Sequence, residues 1–471
     1  MSHGSDLGKS YFFSGIGGSG MLPLALILRG KGVTVAGSDR SLDQGRLGPK
    51  FEYLKAQGID LFPQDGSGVT NAEQIFVRSV AVEDTVPDVV AAHRVGARDM
   101  KRPELLAELF NAAPVRIGVA GTSGKSTTTG MIAWLLSRAG RDPTVMNGAV
   151  MKNFVTPDAL FASALVGKGD AFVSEVDESD GSIARYKPTI AVVNNVSLDH
   201  KSMDELRALF RDFVGKAEIG VLNLDNEETA ALVLSAKVRT RSYSIKSPLA
   251  DLYASEIRQA PDGVTFHAFE RQGGSHADVS LAVPGAHNIS NALAALAAAR
   301  AYGLSLVEAA QALEGFAGTK RRMEIVGTAN AVTVIDDFAH NPDKITATLA
   351  ALHAFPGRLL IMFQPHGFGP LKLMQAEFIA CFADNMAADD VLIMPDPVYY
   401  GGTVDHSVTS EHIAAGVRAH GLQAMAFAER TACGDKLLEL AEAGDRVVVM
   451  GARDDTLSTF AADLVQRLKR E

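Results

Sequence analysis

The stretch that most constrains what this chain can fold into is GVAGTSGKSTTT, residues 118–129. An apolar run, Val115 to Ala120, enters it, and a helix-like run, Met131 to Leu136, leaves it. Strand, glycine loop and helix in that order are the context of a phosphate-binding loop. Gly121 and Gly124 have no side chain to block close backbone approach. The N–H groups of Gly121, Thr122, Ser123 and Gly124, and the helix N-terminus at Lys125, Ser126 and Thr127, can then face a polyphosphate. Lys125 would reach the terminal phosphates and the Ser126 hydroxyl would ligate Mg²⁺. Val119 stands where the generic pattern has glycine. The alternative is a plain glycine-rich turn before a helix; the flanking pattern and the Lys-Ser-Thr-Thr-Thr run weigh against it.

A chain of 471 residues is long enough for roughly two to four domains. Its net charge of −10 argues against bulk affinity for nucleic acid or acidic membranes, while leaving room for a local basic pocket. Cys381 and Cys433 are far apart and lack metal-site spacing, so no disulfide framework is expected and a reducing cytoplasm is favoured. The opening MSHGSDLGKS is polar and has no signal-peptide core, and no apolar run reaches the ~18–20 residues of a membrane span. The expectation is a cytoplasmic monomer or homodimer acting on small molecules, with no nucleic-acid or membrane partner.

Ahead of the phosphate loop lies SGIGGSGM, residues 14–21, after the apolar Tyr11 to Phe13. Gly15, Gly17 and Gly20 fit G-x-G-x-x-G, with Ile16, Gly18 and Ser19 between them. A second strand-like run, Val33 to Asp39, ends on an acid. Alone, this is the nicotinamide-dinucleotide fingerprint. More generally, a glycine turn at a helix N-terminus binds a diphosphate, in a dinucleotide or in a UDP-sugar. Gln74 to Val77 reads as a further strand, and Asn111 to Pro114 as the linker to the next domain.

Downstream of the phosphate loop, Ala171-Phe172-Val173 reads as a buried strand with Glu175 at its carboxyl end, where open α/β sheets bind ligands. Glu175, Asp177, Glu178 and Asp180 put four carboxylates in six residues. Such a cluster is either solvated or neutralised by a cation. TIAVVNNVSLDH, residues 189–200, brings Asp199 and His200 to another strand end. Residues 240–284 show no helical periodicity and suggest a smaller antiparallel part. PGAHNISNALAALAAARAYG, residues 284–303, is a helix with His287, Asn288 and Asn291 at its start, placed to cap it or to read a base edge. Lys320, Arg321 and Arg322 form a cation run, a solvated face or a phosphate clamp. Beyond it, strand-like runs lead into DDFAHNPDK (336–344), QPHGFGPLK (364–372), PDPVYYGG (395–402) and GARDD (451–455), so the last part is another mostly parallel α/β domain.

Taken together, these motifs resemble those of the Mur ligases, in the right order and over nearly the whole chain. SGIGGSGM followed by GSD is similar to the UDP-sugar turn of the branch that acts on UDP-N-acetylmuramate, both the L-alanine ligases and the tripeptide-recycling ligases. AGTSGKSTTT resembles the family's ATP loop, where Val119 is normal; SEVDESD its acidic motif; NNVSLDH its Asn-to-His strand end; HNISN its adenine-side motif; and KRRME and DDFAHNPD its ATP-facing motifs. The resemblance implies three α/β domains: a Rossmann-like UDP-binding domain (1–112), a central P-loop ATPase-like domain (113–322) and a C-terminal Rossmann-like domain (323–471).

It also implies an ATP-dependent, Mg²⁺-requiring ligase working through an acyl phosphate. Lys125 would hold the β- and γ-phosphates. Ser126 and Glu175 would bind a first Mg²⁺ and His200 a second. His287, Asn288 and Asn291 would face adenine. Arg322 and Asp337 would hold ATP, with His340 close by. Gly15 to Gly20, Asp39 and Ser79 would take the UDP-sugar. His366 and Lys372 would meet the acceptor, L-alanine or an L-alanyl peptide; a single lysine is not equivalent to the arginine fork that suits an amino-acid carboxylate. A folylpolyglutamate- or cyanophycin-type ligase is the alternative on the same scaffold.

Overall fold

The computed structural model describes residues 10–79, 82–198, 201–398, 407–452, 454 and 456–470. Among these residues three sheets form, five-, ten- and six-stranded. The chain divides into two compact units: the first holds residues up to Arg258, Val264–Ala282 and His287–Thr319, the second Gln259–Gly263, Val283–Ala286 and Lys320 onward. No described helix is long and apolar enough to cross a membrane. Cys381 and Cys433 are both buried and unbridged.

The first unit contains two sheets. One has strands β1 (Ser10–Ser14), β2 (Thr34–Ser38), β3 (Asp60–Phe62), β4 (Gln74–Arg78) and β5 (Arg98–Lys101) in the order β3-β2-β1-β4-β5, all parallel. The order reverses between β1 and β4, so the ligand crevice of a doubly wound sheet lies beyond their carboxyl ends. Those ends carry the glycine turn after Ser14 and Ser79 after Arg78.

The second sheet is built from β6 (Val115–Ala120), β7 (Thr144–Met146), β8 (Ala164–Leu165), β9 (Ala171–Glu175), β10 (Ile190–Val193), β11 (Ile219–Asn223), β12 (Arg239–Ser244), β13 (Leu252–Ala260), β14 (Gly263–Glu270) and β15 (His276–Leu281). The phosphate-loop strand β6 lies between β9 and β10, parallel to both. β10 is buried along its whole length, as strands covered on both faces are. Residues 240–284 do hold the antiparallel strands expected from the sequence, but as the edge of this sheet: β13, β14 and β15 are consecutive neighbours, with only Pro261 and Asp262 between β13 and β14. β12 pairs parallel with β11 and β13 parallel with β12, which joins these strands to the phosphate-loop sheet, and β14 pairs antiparallel with β15 at its edge. The two sheets of this unit share one apolar core, in which Phe110 meets Phe172 and Tyr186 at 5.8 and 5.1 Å between ring centres.

The second unit has β16 (Glu324–Ala329), β17 (Val332–Asp337), β18 (Leu359–Gln364), β19 (Val391–Pro395), β20 (Gln423–Phe427) and β21 (Arg446–Gly451), ordered β16-β17-β21-β18-β19-β20. Only β16 runs antiparallel to its neighbour. The carboxyl ends of β17, β21 and β18 therefore lie side by side, bringing Asp336 to His340, Gly451 and Ala452, and Gln364 to His366 to one edge of one sheet.

Candidate active site

The phosphate loop is held in shape by its glycines and by two asparagines. Gly121 and Gly124 have φ of +136° and +79°, a region L side chains avoid. A Cβ on Gly124 would lie 2.6 Å from Asn291 Oδ1 and 2.8 Å from Asn194 Nδ2. Asn194 and Asn195 follow β10, whose Val193 is paired with Ala120 of β6, so they emerge against the loop. Asn195 Oδ1 accepts from Thr122 Oγ1 (2.8 Å) and Ser123 N–H (2.9 Å), and its Nδ2 donates to Ser123 Oγ (2.8 Å). Asn194 Nδ2 donates to Thr128 Oγ1 (2.9 Å). The sequence reading missed both residues as loop supports; their signal was the parallel register of β6 and β10. A Gly124→Ala substitution is expected to cost roughly 1–3 kcal/mol in backbone strain and to weaken nucleotide binding more than tenfold, read by titration with a fluorescent ATP analogue.

Lys125 and Ser126 open the helix Lys125–Arg138. Lys125 Nζ donates to Gly121 O at 2.7 Å and to Glu178 at 3.0 and 3.3 Å. Burial works against its charge, but Glu178, Glu175 and Asp177 outweigh it and hold the ammonium above lysine's ordinary pKa. Ser126 Oγ donates to Glu175 Oε2 at 2.9 Å, and Gly148 N–H meets the same oxygen at 2.9 Å. Glu175 reaches Ser126 because β9 is in parallel register with β6, Glu175 beside Val119. Among the described residues no three His, Cys, Asp or Glu side chains converge as a metal cage. A hydroxyl and a carboxylate at hydrogen-bond distance are instead the sparse, hard-oxygen donor set that suits Mg²⁺ completed by water and phosphate. Asp199 and His200 lie outside the described residues.

Of the adenine-side residues, His287 is exposed, whereas Asn288 and Asn291 are buried. Asn291 Oδ1 accepts from Thr128 Oγ1 at 3.2 Å and its Nδ2 donates to Asn288 Oδ1 at 3.2 Å. In this structure the two asparagines face inward and buttress the phosphate-loop helix.

At the first sheet's switch point, Gly15 and Ile16 N–H groups donate to Ser38 O at 2.8 and 3.0 Å, and Gly17 N–H to Asp39 Oδ2 at 2.8 Å. Asp39 Oδ1 takes Ser41 N–H at 2.8 Å. Asp39 therefore braces the turn with both oxygens. Gly18 and Ser19 are exposed at the tip. Arg102, which the sequence reading did not single out, lies over Gly20: its Cδ would be 2.9 Å from a Cβ there. Its guanidinium makes a long 3.4 Å contact with Asp180 of the acidic segment.

In the second unit, Asp337 is buried and its oxygens accept Met323 N–H (2.9 Å) and Ala339 N–H (2.8 Å); burial raises its pKa. Arg322 lies 4.5 Å over the Phe338 ring. The neighbouring pair, Arg321 and Asp336, makes the buried ion pair instead, at 3.3 Å. His340 Nδ1 is 2.8 Å from Phe338 O, and its ring stands edge-on to His366 at 5.5 Å. Burial and the nearby Lys344 push His340 down to about 3, so it is a neutral imidazole and a poor base at neutral pH. Lys372 is exposed on the short helix Phe368–Leu373. The sheet edge thus joins His340 to His366.

Three sequence profiles match the chain: the Mur ligase family catalytic domain over residues 10–113, the Mur ligase middle domain over 119–299, and the Mur ligase glutamate ligase domain over 321–453. The UDP-N-acetylmuramate–L-alanine ligase of Geotalea uraniireducens is 34% identical over 467 residues, covering 97% of both chains. That of Geobacter sulfurreducens is 36% identical over 451 residues, covering 93% of this chain and 94% of its own. Among solved structures, the UDP-N-acetylmuramate–alanine ligase of Thermotoga maritima shares the fold with a TM-score of 0.78 at 23% identity, over 98% and 99% of the two chains. A murein peptide ligase of Psychrobacter arcticus does so with a TM-score of 0.71 at 25% identity, over the same shares. The phosphate loop, the three sheets and these relatives agree: the chain belongs to the Mur ligase family and is an ATP-dependent, ADP-forming ligase.

Proposed function

We propose that this enzyme joins the lactyl carboxylate of UDP-N-acetylmuramate to the amine of L-alanine, in peptidoglycan synthesis in the cytoplasm. The observation that carries this reading is the pairing, within one unit, of a glycine turn at a sheet switch point with a phosphate loop whose Lys125, Ser126 and Glu175 converge. The curated relatives, named as L-alanine ligases, support the choice of acid and amine.

A carboxylate is a poor electrophile with a poor leaving group. Its oxygen attacks the γ-phosphorus, ADP leaves, and the resulting acyl phosphate corrects both faults. The amine then attacks the carbonyl carbon, the tetrahedral intermediate collapses with loss of phosphate, and the amine gives up its protons to solvent or a nearby base. Catalysis on this route rests on positioning and charge neutralisation.

Lys125 holds the terminal phosphates, and the N–H groups of Gly121 to Thr127 cradle them as far as Asn195 releases them. Ser126 and Glu175 hold Mg²⁺, which supplies charge neutralisation at the phosphates. His200 is assigned to a second ion by family resemblance. His287 faces adenine, with Asn288 and Asn291 behind it, and Arg322 and Asp337 are assigned to ATP by the same resemblance. Gly15 to Gly20 and Ser79 receive the UDP-sugar, with Asp39 bracing the turn and Arg102 beside it. His366 and Lys372 are offered to the acceptor, and the neutral His340 serves as a hydrogen-bonding partner. The domains are taken as 1–112, 113–322 and 323–471, the oligomer as monomer or homodimer, and neither nucleic acid nor membrane as a partner.

A second reading has one specific support: Lys372 in the acceptor loop is not equivalent to the arginine fork that suits a bare amino-acid carboxylate. The test is phosphate release from ATP with Mg²⁺ and UDP-N-acetylmuramate, changing only the amine. Release with L-alanine is expected. Release only with L-Ala-γ-D-Glu-diaminopimelate would move the enzyme to peptide recycling. Release with neither would refute the assigned substrates and reopen the folylpolyglutamate- and cyanophycin-type alternatives.

A further inference from the structure

Glu178 has no part in the reaction set out above, yet it is the side chain that holds Lys125. The side chain is 3% exposed and its carboxylate receives Lys125 Nζ at 3.0 and 3.3 Å. The backbone on both sides is pinned. Ser179 N–H donates to Asp177 Oδ1 (2.9 Å), Gly181 N–H to Glu178 O (3.1 Å), Ser182 N–H to Asp180 Oδ1 (2.8 Å) and Ser182 Oγ to Asp177 O (3.3 Å). Upstream, Val176 N–H donates to Val119 O at 2.8 Å, tying the segment to the phosphate-loop strand. A main chain pinned in this way keeps Glu178 beside the phosphate loop when the lysine turns.

A polyphosphate entering the loop competes with Glu178 for one ammonium. If it arrives without a cation, Lys125 must abandon a buried carboxylate, and Glu178, Asp177 and Glu175 all repel the newcomer at short range in a poorly solvated site. If it arrives with a divalent cation beside Ser126 Oγ and Glu175, that cation replaces the charge the lysine withdraws. We infer that Glu178 is a positioning residue that makes the loop discriminate against metal-free polyphosphate, by keeping Lys125 engaged until an anion arrives with its own cation. This rests on the reading of Ser126 and Glu175 as magnesium ligands.

The test is binding, independent of turnover. Fluorescent N-methylanthraniloyl-ADP is titrated into wild type, Glu178→Gln and Glu178→Asp, with Mg²⁺ and with EDTA. Wild type is expected to bind the metal-free nucleotide far more weakly. Glu178→Gln should narrow that ratio about tenfold, chiefly by tightening metal-free binding. Glu178→Asp, which keeps the charge, should retain most of it. An unchanged ratio in Glu178→Gln overturns the inference while leaving the magnesium reading standing. Equal weakening of both forms also overturns it, since that marks a merely structural side chain. The wild type supplies a second arm that needs no variant: inorganic tripolyphosphate should bind more tightly with Mg²⁺ than with EDTA. Absence of any metal preference in wild type overturns both the inference and the magnesium reading.

Discussion

Replacing Lys125 with alanine removes ATP turnover, a loss of roughly a thousandfold or more, and also destabilises the protein. The first effect follows from the lysine's place at the head of the helix behind the phosphate loop, where the proposed reaction assigns it to the terminal phosphates. The second follows from Glu178. With Lys125 gone, a carboxylate only 3% exposed is left without its partner, next to Asp177 and Glu175. Breaking a buried pair from one side costs about 3–5 kcal/mol, much more than the pair contributes when intact. The double variant Lys125→Ala/Glu178→Gln separates the two effects: most of the stability returns and the turnover does not. Trp134 is a convenient reporter, because it lies in the helix that Lys125 begins and its Nε1 donates to Glu314 O at 3.0 Å. A single variant that melts with wild type, or that keeps turnover within tenfold, would sink this account of Lys125.

The parts of the site that are legible in the sequence are those in which neighbours along the chain do the work. The phosphate loop is one continuous stretch with its strand before and its helix after. The glycine turn at 15–20 is likewise local, and Glu175 could be placed because a short apolar run ends on it. What the sequence hides is whatever depends on register between strands or on which way a backbone turns. Four carboxylates in six residues give no sign that Glu178 is the one turned inward onto Lys125. Asn195 reaches Ser123 across 72 residues only because β10 pairs with β6 in parallel. Arg102 and Asp180 are 78 residues apart.

The antiparallel strands within residues 240–284 could be expected from the lack of helical periodicity, but not that β12 and β13 join them in parallel to the phosphate-loop sheet. In the cation run, neither Arg321 nor Arg322 is marked as the buried one. Left-handed backbone on either side of Arg322, at Arg321 and Met323 with φ of +58° and +49°, accompanies the turn of Arg321 inward to Asp336 while Arg322 lies on Phe338. The adjacent acids divide in the same way, Asp336 pairing with Arg321 while Asp337 binds backbone N–H groups.

Arg321→Ala is the second substitution expected to have a large effect, and here the effect is on stability and its pH dependence. The guanidinium is about nine-tenths buried. It pairs with Asp336 at 3.3 Å and donates to Gly451 O at 2.6 Å and Asp454 O at 3.1 Å, fastening the start of the unit to the carboxyl end of β21. Truncation leaves a buried carboxylate with Ser458 Oγ, at 3.0 Å, as its remaining described hydrogen-bond donor, and should cost about 3–5 kcal/mol. Burial already pushes Asp336 up to about 6, with Arg321 and Ser458 holding it from rising further. The folded state therefore binds this proton more tightly than the unfolded chain, whose carboxyl titrates near 3.8. The stability that the protonated form contributes is complete below about pH 4 and is lost as the pH rises through 6, a swing of about 3 kcal/mol. Without Arg321 the folded pKa climbs further and the loss extends above pH 6, so the gap between variant and wild type should widen from pH 5 to pH 8. Urea unfolding at those two pH values, followed by circular dichroism, reads both quantities. Adding Asp336→Asn to the variant should recover stability at pH 8 and little at pH 5. A gap of equal size at the two pH values would show that Arg321 acts through its bonds to Gly451 and Asp454 alone, and that the charge on Asp336 does not govern how this unit responds to pH.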